Sequence, residues 1–274
     1  MAIDLFSIGR FTVHGYGLMV GLGFIAAVLV GSYLAGRRGL SDGDFVNMGM
    51  CVLIFGYMGG KLMYIVAEAG IGMLFTDPWG VLSSEGFVVY GGIITGFLAI
   101  LIYCKVKKLD FLQYGDLFAV SVPLNQSLGR IGCLLAGCCY GRPTDSRFSL
   151  VFPEGAIAPA GVRLIPTQPI MAAGDMLIFV ILLILYLRCC PAKSGGETIP
   201  AKTVYVPGIA LSLYLIMYSV GRFAIEYLRD DYRGWVGPLS TSQFVSIFTF
   251  AAGLAFLAVL TKKRRSTYDS GGIA

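Results

Sequence analysis

The sequence predicts an all-α polytopic membrane protein with seven transmembrane helices, its N-terminus outside the membrane and its C-terminus in the cytoplasm. Of its 274 residues 56% are hydrophobic and 14% are charged, and the mean hydropathy is +0.76. So few charged side chains cannot cover a water-facing globule, and the net charge of +5 forms no basic stripe for nucleic acid. The apolar composition also excludes disorder. We expect one membrane domain over residues 1–274.

Seven windows are long and apolar enough to cross a membrane, which takes roughly 20 mostly apolar residues. They cover approximately 12–36, 45–67, 87–104, 112–135, 169–187, 206–228 and 239–261. The first is too long for the apolar part of a signal peptide and is followed by the basic pair Arg37-Arg38, so we expect it to be retained. An irregular external loop at about 140–168 and a short basic cytoplasmic tail at about 262–274 complete the predicted organisation.

The orientation follows from the unequal distribution of basic residues between the two sides. Twelve follow the odd-numbered windows, Lys202 among them, and six lie on the opposite side, including Arg10 and Arg233. Short loops on the cytoplasmic side of a membrane carry the excess of lysine and arginine. This predicts that the side with twelve basic residues is cytoplasmic.

Polar side chains within the windows are predicted to lie at one depth, in the outer half of the membrane. The six are Lys61, Arg130, Arg222, Glu226, His14 and Tyr90. A charge at the bilayer centre costs about 2.5–3.5 kcal/mol on insertion scales, so each needs a partner, water or a function. Taken singly, Arg222 and Glu226 fit a helix ion pair, and Lys61 and Arg130 fit snorkelling to the headgroups. Six groups at one level favour a functional site over a proton path across the membrane.

Glycines suggest two further features. Small residues spaced by three positions favour close helix packing at Gly17/Gly21, Gly56/Gly60 and Gly92/Gly96. The glycine-rich stretch from Gly129 to Gly132 surrounds Arg130, and more glycines follow at Gly137 and Gly141. An unwound helix at this point would expose backbone N–H groups beside a fixed positive charge, which predicts an anion-binding nest.

The seven cysteines indicate neither a metal site nor redox chemistry. They are Cys51, Cys104, Cys133, Cys138, Cys139, Cys189 and Cys190. The sequence has no C-x-x-C pair and no second histidine, so we expect no metal and no cofactor, and we expect most of these thiols to be small packing residues.

The motifs together resemble the prolipoprotein diacylglyceryl transferase family over nearly the whole chain. The resemblance rests on Phe6-Ser7-Ile8-Gly9, His14-Gly15-Tyr16-Gly17-Leu18-Met19, Gly59-Gly60-Lys61 with Tyr64, Glu85-Gly86-Phe87, Tyr90-Gly91-Gly92, Gly129-Arg130-Ile131-Gly132 through Gly141, Pro166-Thr167-Gln168-Pro169, Gly221-Arg222-Phe223, Glu226-Tyr227-Leu228-Arg229 and Ser240-Thr241-Ser242-Gln243.

The chain also departs from the family pattern. Cys133 and Ala136 stand where the family usually has asparagine, and Cys138 where it has glutamate. Tyr90 replaces a histidine and Lys61 an arginine, and the stretch after Gln168 lacks the expected glutamate. The two arginines of the family, Arg130 and Arg222, are in place.

The resemblance implies transfer of the diacylglyceryl group of phosphatidylglycerol to the lipobox cysteine of exported preprolipoproteins, with release of glycerol 1-phosphate. It implies a bacterial cytoplasmic (inner) membrane protein whose active site faces the outer leaflet, whose partners are these two substrates and membrane lipids, and which binds no nucleic acid. The expected catalytic residues are Arg130 and Arg222 on the phosphate, Glu226 to orient Arg222, and His14 and Tyr90 for proton transfer or headgroup contact. The expected substrate-binding residues are Tyr16, Lys61, Tyr64, Gly129, Gly132, Gln168 and Gln243.

Two other functions remain open. A lipid-binding or transport protein of the same family without transferase activity is compatible with the altered signature. A thiol-redox membrane protein would require Cys133, Cys138 or Cys139 to cycle, and we expect none of the three to be catalytic.

Overall fold

A computed structural model gives the fold of most of the chain. It describes residues 4–8, 11–70, 72, 76–77, 79–80, 84, 86–189, 192–194, 197–199, 205–231 and 234–271. Several residues used above lie outside the described part, namely Gly9, Arg10, Glu85, Cys190, Lys202 and Arg233.

Seven long helices account for most of the described residues. They are α1 (Gly15–Arg38), α2 (Asp42–Tyr64), α3 (Val89–Lys107), α4 (Phe111–Ala136), α5 (Thr167–Cys189), α6 (Ile209–Ile225) and α7 (Thr241–Gly271). A π-helical turn at Ile65–Ala69 extends α2, and a 3₁₀ turn at Glu226–Leu228 extends α6.

Short antiparallel strand pairs join the helices. The strands are β1 (Asp4–Ile8), β2 (Phe11–His14), β3 (Leu150–Val151), β4 (Arg163–Leu164), β5 (Ala192–Ser194), β6 (Glu197–Ile199), β7 (Trp235–Val236) and β8 (Leu239–Ser240). Each pairs with its sequence neighbour, β1 with β2 through β7 with β8.

Every predicted window coincides with one of these helices, and six of the seven are long and apolar enough to cross a membrane. The chain is therefore a mostly helical, multi-pass membrane protein. The helix outside this group is α4, which carries the polar residues Asp116, Asn125, Gln126 and Arg130. The seven-span topology and its orientation stay predictions.

The polarity of α4 is matched by its surroundings. Every residue of α4 except Ile131 is buried or half-buried. The Ser127 hydroxyl donates to the carbonyl of Ala172 on α5 at 2.8 Å, and the Tyr214 hydroxyl of α6 donates to Gln126 Oε1 at 3.1 Å. Hydrogen bonds of this kind hold membrane helices together where burial of apolar surface does not.

The structure adds detail to two of the predicted segments. Within the 140–168 loop β3 pairs with β4, and Phe152, Ala158 and Leu164 form a small buried core. The predicted tail at 262–274 is largely helical, since α7 continues to Gly271.

The chain divides into two compact units, one of Met1–Gly39 with Gly115–Ala274 and one of Leu40–Tyr114. In the second unit glycines bring α2 and α3 together, as the spacing predicted. A Cβ on Gly92 would lie 2.9 Å from the carbonyl oxygen of Gly56, so a member of each predicted pair lies at the contact between the two helices. The packing role predicted for Gly17 and Gly21 finds no support in the described part of the chain, where no residue lies within 4 Å of a Cβ built on either glycine.

In the first unit a buried carboxylate caps the start of α6 from a neighbouring helix. Asp116 of α4 is fully buried and accepts from the backbone N–H groups of Gly208 and Leu211 at 2.8 Å and from the hydroxyl of Tyr205. The guanidinium of Arg38 lies 4.1 Å from the Tyr205 ring centroid. Burial and the adjacent Asp116 carboxylate raise the pKa of Tyr205, so the phenol stays a neutral donor. Asp116 was not among the residues singled out from the sequence, and this network gives Asp116 a structural role.

Replacing Asp116 should destabilise the fold. Asp116→Ala leaves two buried N–H groups and a phenol without their acceptor, which should lower the free energy of unfolding by about 2 kcal/mol or more. Asp116→Asn keeps one acceptor oxygen and should cost less. Thermal unfolding in detergent measures both, with Asp145→Asn in the exposed loop as a control that should behave like the parent. Unfolding temperatures equal to the parent in Asp116→Ala would contradict the capping role.

Candidate active site

The glycine-rich stretch around Arg130 is a regular helix and not an unwound nest, so that prediction was wrong. Helix α4 continues through Gly129 and Gly132 to Ala136. It ends where Gly137 adopts a left-handed conformation with φ 72°, and the N–H groups of Gly137 and Cys138 donate to the carbonyls of Leu134 and Cys133. This is a Schellman ending, in which the last carbonyls of the helix are satisfied by the turn that follows.

Arg130 sits on the last two turns of α4, half-buried, with its Nη1 3.9 Å from Cys139 Sγ. Helix α1 passes close to it. A Cβ on Gly132 would lie 3.1 Å from the carbonyl oxygen of Tyr16, so the glycine permits this approach. The phenol of Tyr16, 47% exposed, consequently interacts electrostatically with Arg130. Among the residues that the structure describes, none lies within 4 Å of a Cβ built on Gly129, and the binding role of this glycine stays a prediction.

Arg222 is buried and its guanidinium is held from two directions. Nη1 donates to Glu226 Oε2 at 2.5 Å, one helical turn further on, and Nη2 donates to Ser242 Oγ of α7 at 2.5 Å. The predicted pairing of Arg222 with Glu226 is confirmed. The role of Ser242 was missed, although it lies within a quoted motif.

A carboxylate that was not among the predicted site residues feels the charge of both arginines. Asp175 of α5 is 6% exposed and interacts electrostatically with Arg130 and with Arg222. Tyr218 of α6 interacts with the same two guanidinium groups. The two arginines, 92 positions apart in sequence, therefore share neighbours. The sequence did contain a signal for Asp175, because it is an acidic residue within the otherwise apolar α5. Ionisable residues within membrane spans are candidates for a functional site.

An apolar cavity adjoins these charges. It has a volume of about 300 Å³ and lies between α5 and α6, with Asp175, Tyr218 and Arg222 in its wall. The other lining residues are glycine or apolar side chains such as Ile170, Ile178 and Leu228, with Met171, Gly174, Gly221, Ala224 and Ile225. A cavity that is apolar along its length and charged at a few points suits an amphipathic molecule with an anionic group.

A second cavity, of about 390 Å³, adjoins Glu226 and is more polar. Arg229 lies in its wall. It is 4% exposed, with Nε and Nη2 donating to the two carboxylate oxygens of Asp231 at 2.8 and 2.6 Å. Burial acts against its charge, but the hydrogen bonds to Asp231 prevail and raise the pKa of Arg229.

Gln168 and Gln243, both predicted to bind substrate, are buried and engaged with backbone. Gln168 Nε2 donates to the carbonyl of Cys138 at 2.8 Å. Gln243 Oε1 accepts from the N–H of Ser240 at 3.2 Å, while its own N–H donates to Ser240 Oγ at 3.1 Å. This reciprocal pair is a capping box at the start of α7. The substrate contacts of both residues stay predictions.

Three predicted site residues belong to the second unit. Lys61 is 4% exposed, so the snorkelling alternative is wrong. Its Nζ donates to the carbonyl and hydroxyl of Ser84 at 2.5 and 3.0 Å and to the carbonyl of Gly86 at 3.1 Å, and it lies 5.4 Å from the Tyr64 ring centroid. These contacts hold the chain before α3 in place. Tyr90 lies in the first turn of α3, 37% exposed.

His14 occupies the position before α1 in an extended conformation and is exposed. It lies two residues before Tyr16, on the segment that approaches Arg130. Its catalytic role stays a prediction.

The fold and this site define a multi-pass membrane protein with an apolar cavity beside a buried arginine. The family description "Prolipoprotein diacylglyceryl transferase" matches residues 4–259. The chain belongs to this family, which confirms the resemblance.

Three relatives illustrate the match. The chain is 40% identical over 252 residues to the phosphatidylglycerol–prolipoprotein diacylglyceryl transferase of Clostridium tetani, covering 91% of this chain and 94% of that protein. It is 39% identical over 267 residues to transferase 2 of Clostridium perfringens, covering 97% and 98%. It is 31% identical over 268 residues to the transferase of Nostoc sp., covering 97% and 91%.

The capping box predicts a stability effect at Gln243 that depends on the replacement. Gln243→Ala removes the acceptor for the Ser240 N–H and should lower the free energy of unfolding by about 1 kcal/mol. Gln243→Glu keeps an acceptor oxygen at the helix N-terminus and should leave stability near the parent value. Thermal unfolding of the two variants side by side tests this. If Gln243→Ala unfolds at the same temperature as the parent, the capping role of Gln243 is refuted. The predicted contact of Gln243 with substrate would then be its remaining role.

Proposed function

We propose that the chain transfers the diacylglyceryl group of phosphatidylglycerol to the lipobox cysteine thiol of exported preprolipoproteins, releasing glycerol 1-phosphate. The observation that carries the proposal is that Arg130 and Arg222 both interact electrostatically with Asp175 and Tyr218. Arg222, Asp175 and Tyr218 line the apolar cavity between α5 and α6. The names of the relatives supply the two substrates.

The chemistry asks for an anion site and for a way to handle one proton. The sulfur of the acceptor cysteine attacks the glycerol carbon that carries the phosphate ester. A C–S bond forms, the C–O bond breaks, and the leaving oxygen takes the electron pair with glycerol 1-phosphate. A cysteine thiol has a pKa of about 8.5, so a base must take its proton as sulfur attacks.

The arginines fit the anion site. A guanidinium stays charged when desolvated and binds phosphate through two parallel hydrogen bonds. Glu226 and Ser242 fix the plane of the Arg222 guanidinium, which makes them positioning residues. The lipid tails of phosphatidylglycerol fit the apolar wall between α5 and α6.

Proton transfer and headgroup contact are assigned to His14, Tyr16 and Tyr90. Of these three residues, Tyr16 feels the charge of Arg130. This supports a position for the Tyr16 phenol near the phosphate that Arg130 is proposed to bind. Lys61 and Tyr64 act less directly, by fixing the segment before α3 on which Tyr90 depends.

We place the protein in the bacterial cytoplasmic membrane with seven spans, the N-terminus and the active site outward. The twelve-to-six distribution of basic residues supports this orientation. An exported acceptor and a membrane lipid would then meet in the outer leaflet. The enclosed position of α4 supports its inclusion as a span, because a helix surrounded by protein tolerates polar residues.

Purified protein in vesicles tests the reaction. Glycerol 1-phosphate should appear only when phosphatidylglycerol and a lipobox peptide are both present, and the peptide should gain the mass of a diacylglyceryl group. Tight lipid binding with no product under these conditions would favour the alternative of a family member that binds or transports lipid without transferase activity.

Arg130→Lys and Arg222→Lys should each lower the rate of product release by roughly 10²–10³-fold, because an ammonium loses one charge-assisted contact that strengthens in the transition state. At position 222 a lysine also cannot bridge Glu226 and Ser242 with two separate nitrogens. Initial rates are compared at matched abundance and membrane insertion. The exposed loop substitution Arg147→Lys is the control and should keep the parental rate. Parental rates in both site variants would refute the phosphate site.

A reporter fused after Ala274, which lies outside the described residues, should behave as cytoplasmic. The reason is the clustering of Lys262, Lys263, Arg264 and Arg265 after the seventh window. Paired fusions of a cytoplasm-active and an export-active reporter measure this directly. If the export-dependent reporter is the active one, the predicted orientation is wrong. The depth in the membrane assigned to Arg130 and Arg222 would then be wrong as well.

A further inference from the structure

Three thiols converge at the end of α4. Cys133 lies on its last turn, and Cys138 and Cys139 follow the Schellman ending at Gly137. The hydrogen bond from the Cys138 N–H to the Cys133 carbonyl folds the chain back on the helix, and the left-handed conformation of Cys139, φ 61°, turns it once more. As a result the three Sγ atoms all lie within 4.8 Å of one another.

This spacing suits a metal ion better than a disulfide. A Zn–S bond of about 2.3 Å places coplanar or tetrahedral thiolates roughly 3.8–4.0 Å apart, which small side-chain rotations reach from the present geometry. Neighbouring residues such as Cys138 and Cys139 seldom form a disulfide, because the bond geometry strains the peptide between them. Thiolates in a group of three select soft ions.

The charges around the thiols complement an anionic metal complex. Three thiolates with one divalent ion carry a net charge of −1. Arg130 Nη1 lies 3.9 Å from Cys139 Sγ, and Arg229 also interacts with Cys139. Both guanidinium groups are permanently charged, so they would offset the negative charge of such a complex once the metal has displaced the thiol protons.

An unpartnered oxygen lies beside the cluster. Gln168 is fully buried, and its Oε1 has no hydrogen-bond partner among the residues that the structure describes. The nitrogen of the same amide donates to the carbonyl of Cys138. A metal-bound water, or the metal itself, would satisfy this oxygen, whose burial without a partner is costly.

We propose that Cys133, Cys138 and Cys139 bind one soft, thiophilic metal ion, of the class that includes Zn²⁺ and Cu⁺. The complex lies against Arg130 and takes up part of its charge. Its predicted effect on activity rests on the proposed function, because a paired Arg130 holds a lipid phosphate less strongly. Metal then slows diacylglyceryl transfer.

Binding is measured first, without any substrate, on the purified full-length chain kept reduced by a reagent that does not contain thiols. Cd²⁺ serves as the probe because its thiolate charge-transfer absorption reports sulfur ligation. We expect one Cd²⁺ per chain, displaced by Zn²⁺ competition. Substituting any one of the three cysteines by serine should weaken Cd²⁺ binding by more than about 100-fold, since loss of a ligand exceeds the usual effect of an outer contact.

A matched control keeps the three thiols and replaces the four other cysteines, Cys51, Cys104, Cys189 and Cys190, by alanine. It should bind one Cd²⁺ with parental affinity. Parental binding by the variant in which Cys133, Cys138 and Cys139 are all serine, or loss of binding by the control, would overturn the proposal.

A second measurement uses the unmodified sequence and does not depend on variants folding. Zn²⁺ should slow maleimide labelling of the three thiols relative to Cys51 and Cys189, as read by mass spectrometry of each peptide. Equal labelling with and without Zn²⁺ would refute the site. The activity arm is separate, because absence of transfer activity in the parent would refute the proposed function and leave the binding result standing.

Discussion

Charge burial is the constraint on which the arrangement depends. Arg222 and Arg229 are buried, and a guanidinium without partners in such a place would be strongly destabilising. Each is therefore held by a carboxylate, Glu226 for Arg222 and Asp231 for Arg229. Arg130 has no such close carboxylate among the residues that the structure describes. Its contacts are a sulfur at 3.9 Å and the electrostatic influence of Asp175, which it shares with Arg222.

This difference separates arginines that serve a structural role from an arginine that is available to bind a ligand. A pair such as Arg229 with Asp231 has both carboxylate oxygens engaged and suits a structural role. Arg130 has guanidinium hydrogens that an incoming anion could accept, and it lies near one of the points where α1 and α4 approach each other, at Gly132. The local ending of α4 contributes as well, because the Schellman turn brings Gln168 and the thiols to the same place without unwinding the helix at Arg130.

The helices were predictable because six of the seven are apolar along most of their length, a property visible in the sequence alone. The ion pair of Arg222 with Glu226 was also predictable, since residues four apart on a helix face each other. Contacts between distant segments were not. Nothing local to Lys61 indicates that Ser84 and Gly86 surround its amine, and nothing local to Arg229 distinguishes a buried arginine from an exposed one.

Asp175 differs from these cases, because a single carboxylate in the apolar α5 is visible in the sequence and could have been included among the predicted site residues. Its importance depends on the tertiary arrangement that sets it near two arginines from two other helices. A carboxylate that feels the charge of both guanidinium groups lowers their mutual repulsion in the empty site. Its Oδ2 is buried and has no hydrogen-bond partner among the residues that the structure describes, so this charge is offset from a distance. A phosphate that hydrogen-bonds directly to a guanidinium would interact more strongly than this carboxylate does, which would let the site stay folded without substrate and still favour the anion when it arrives.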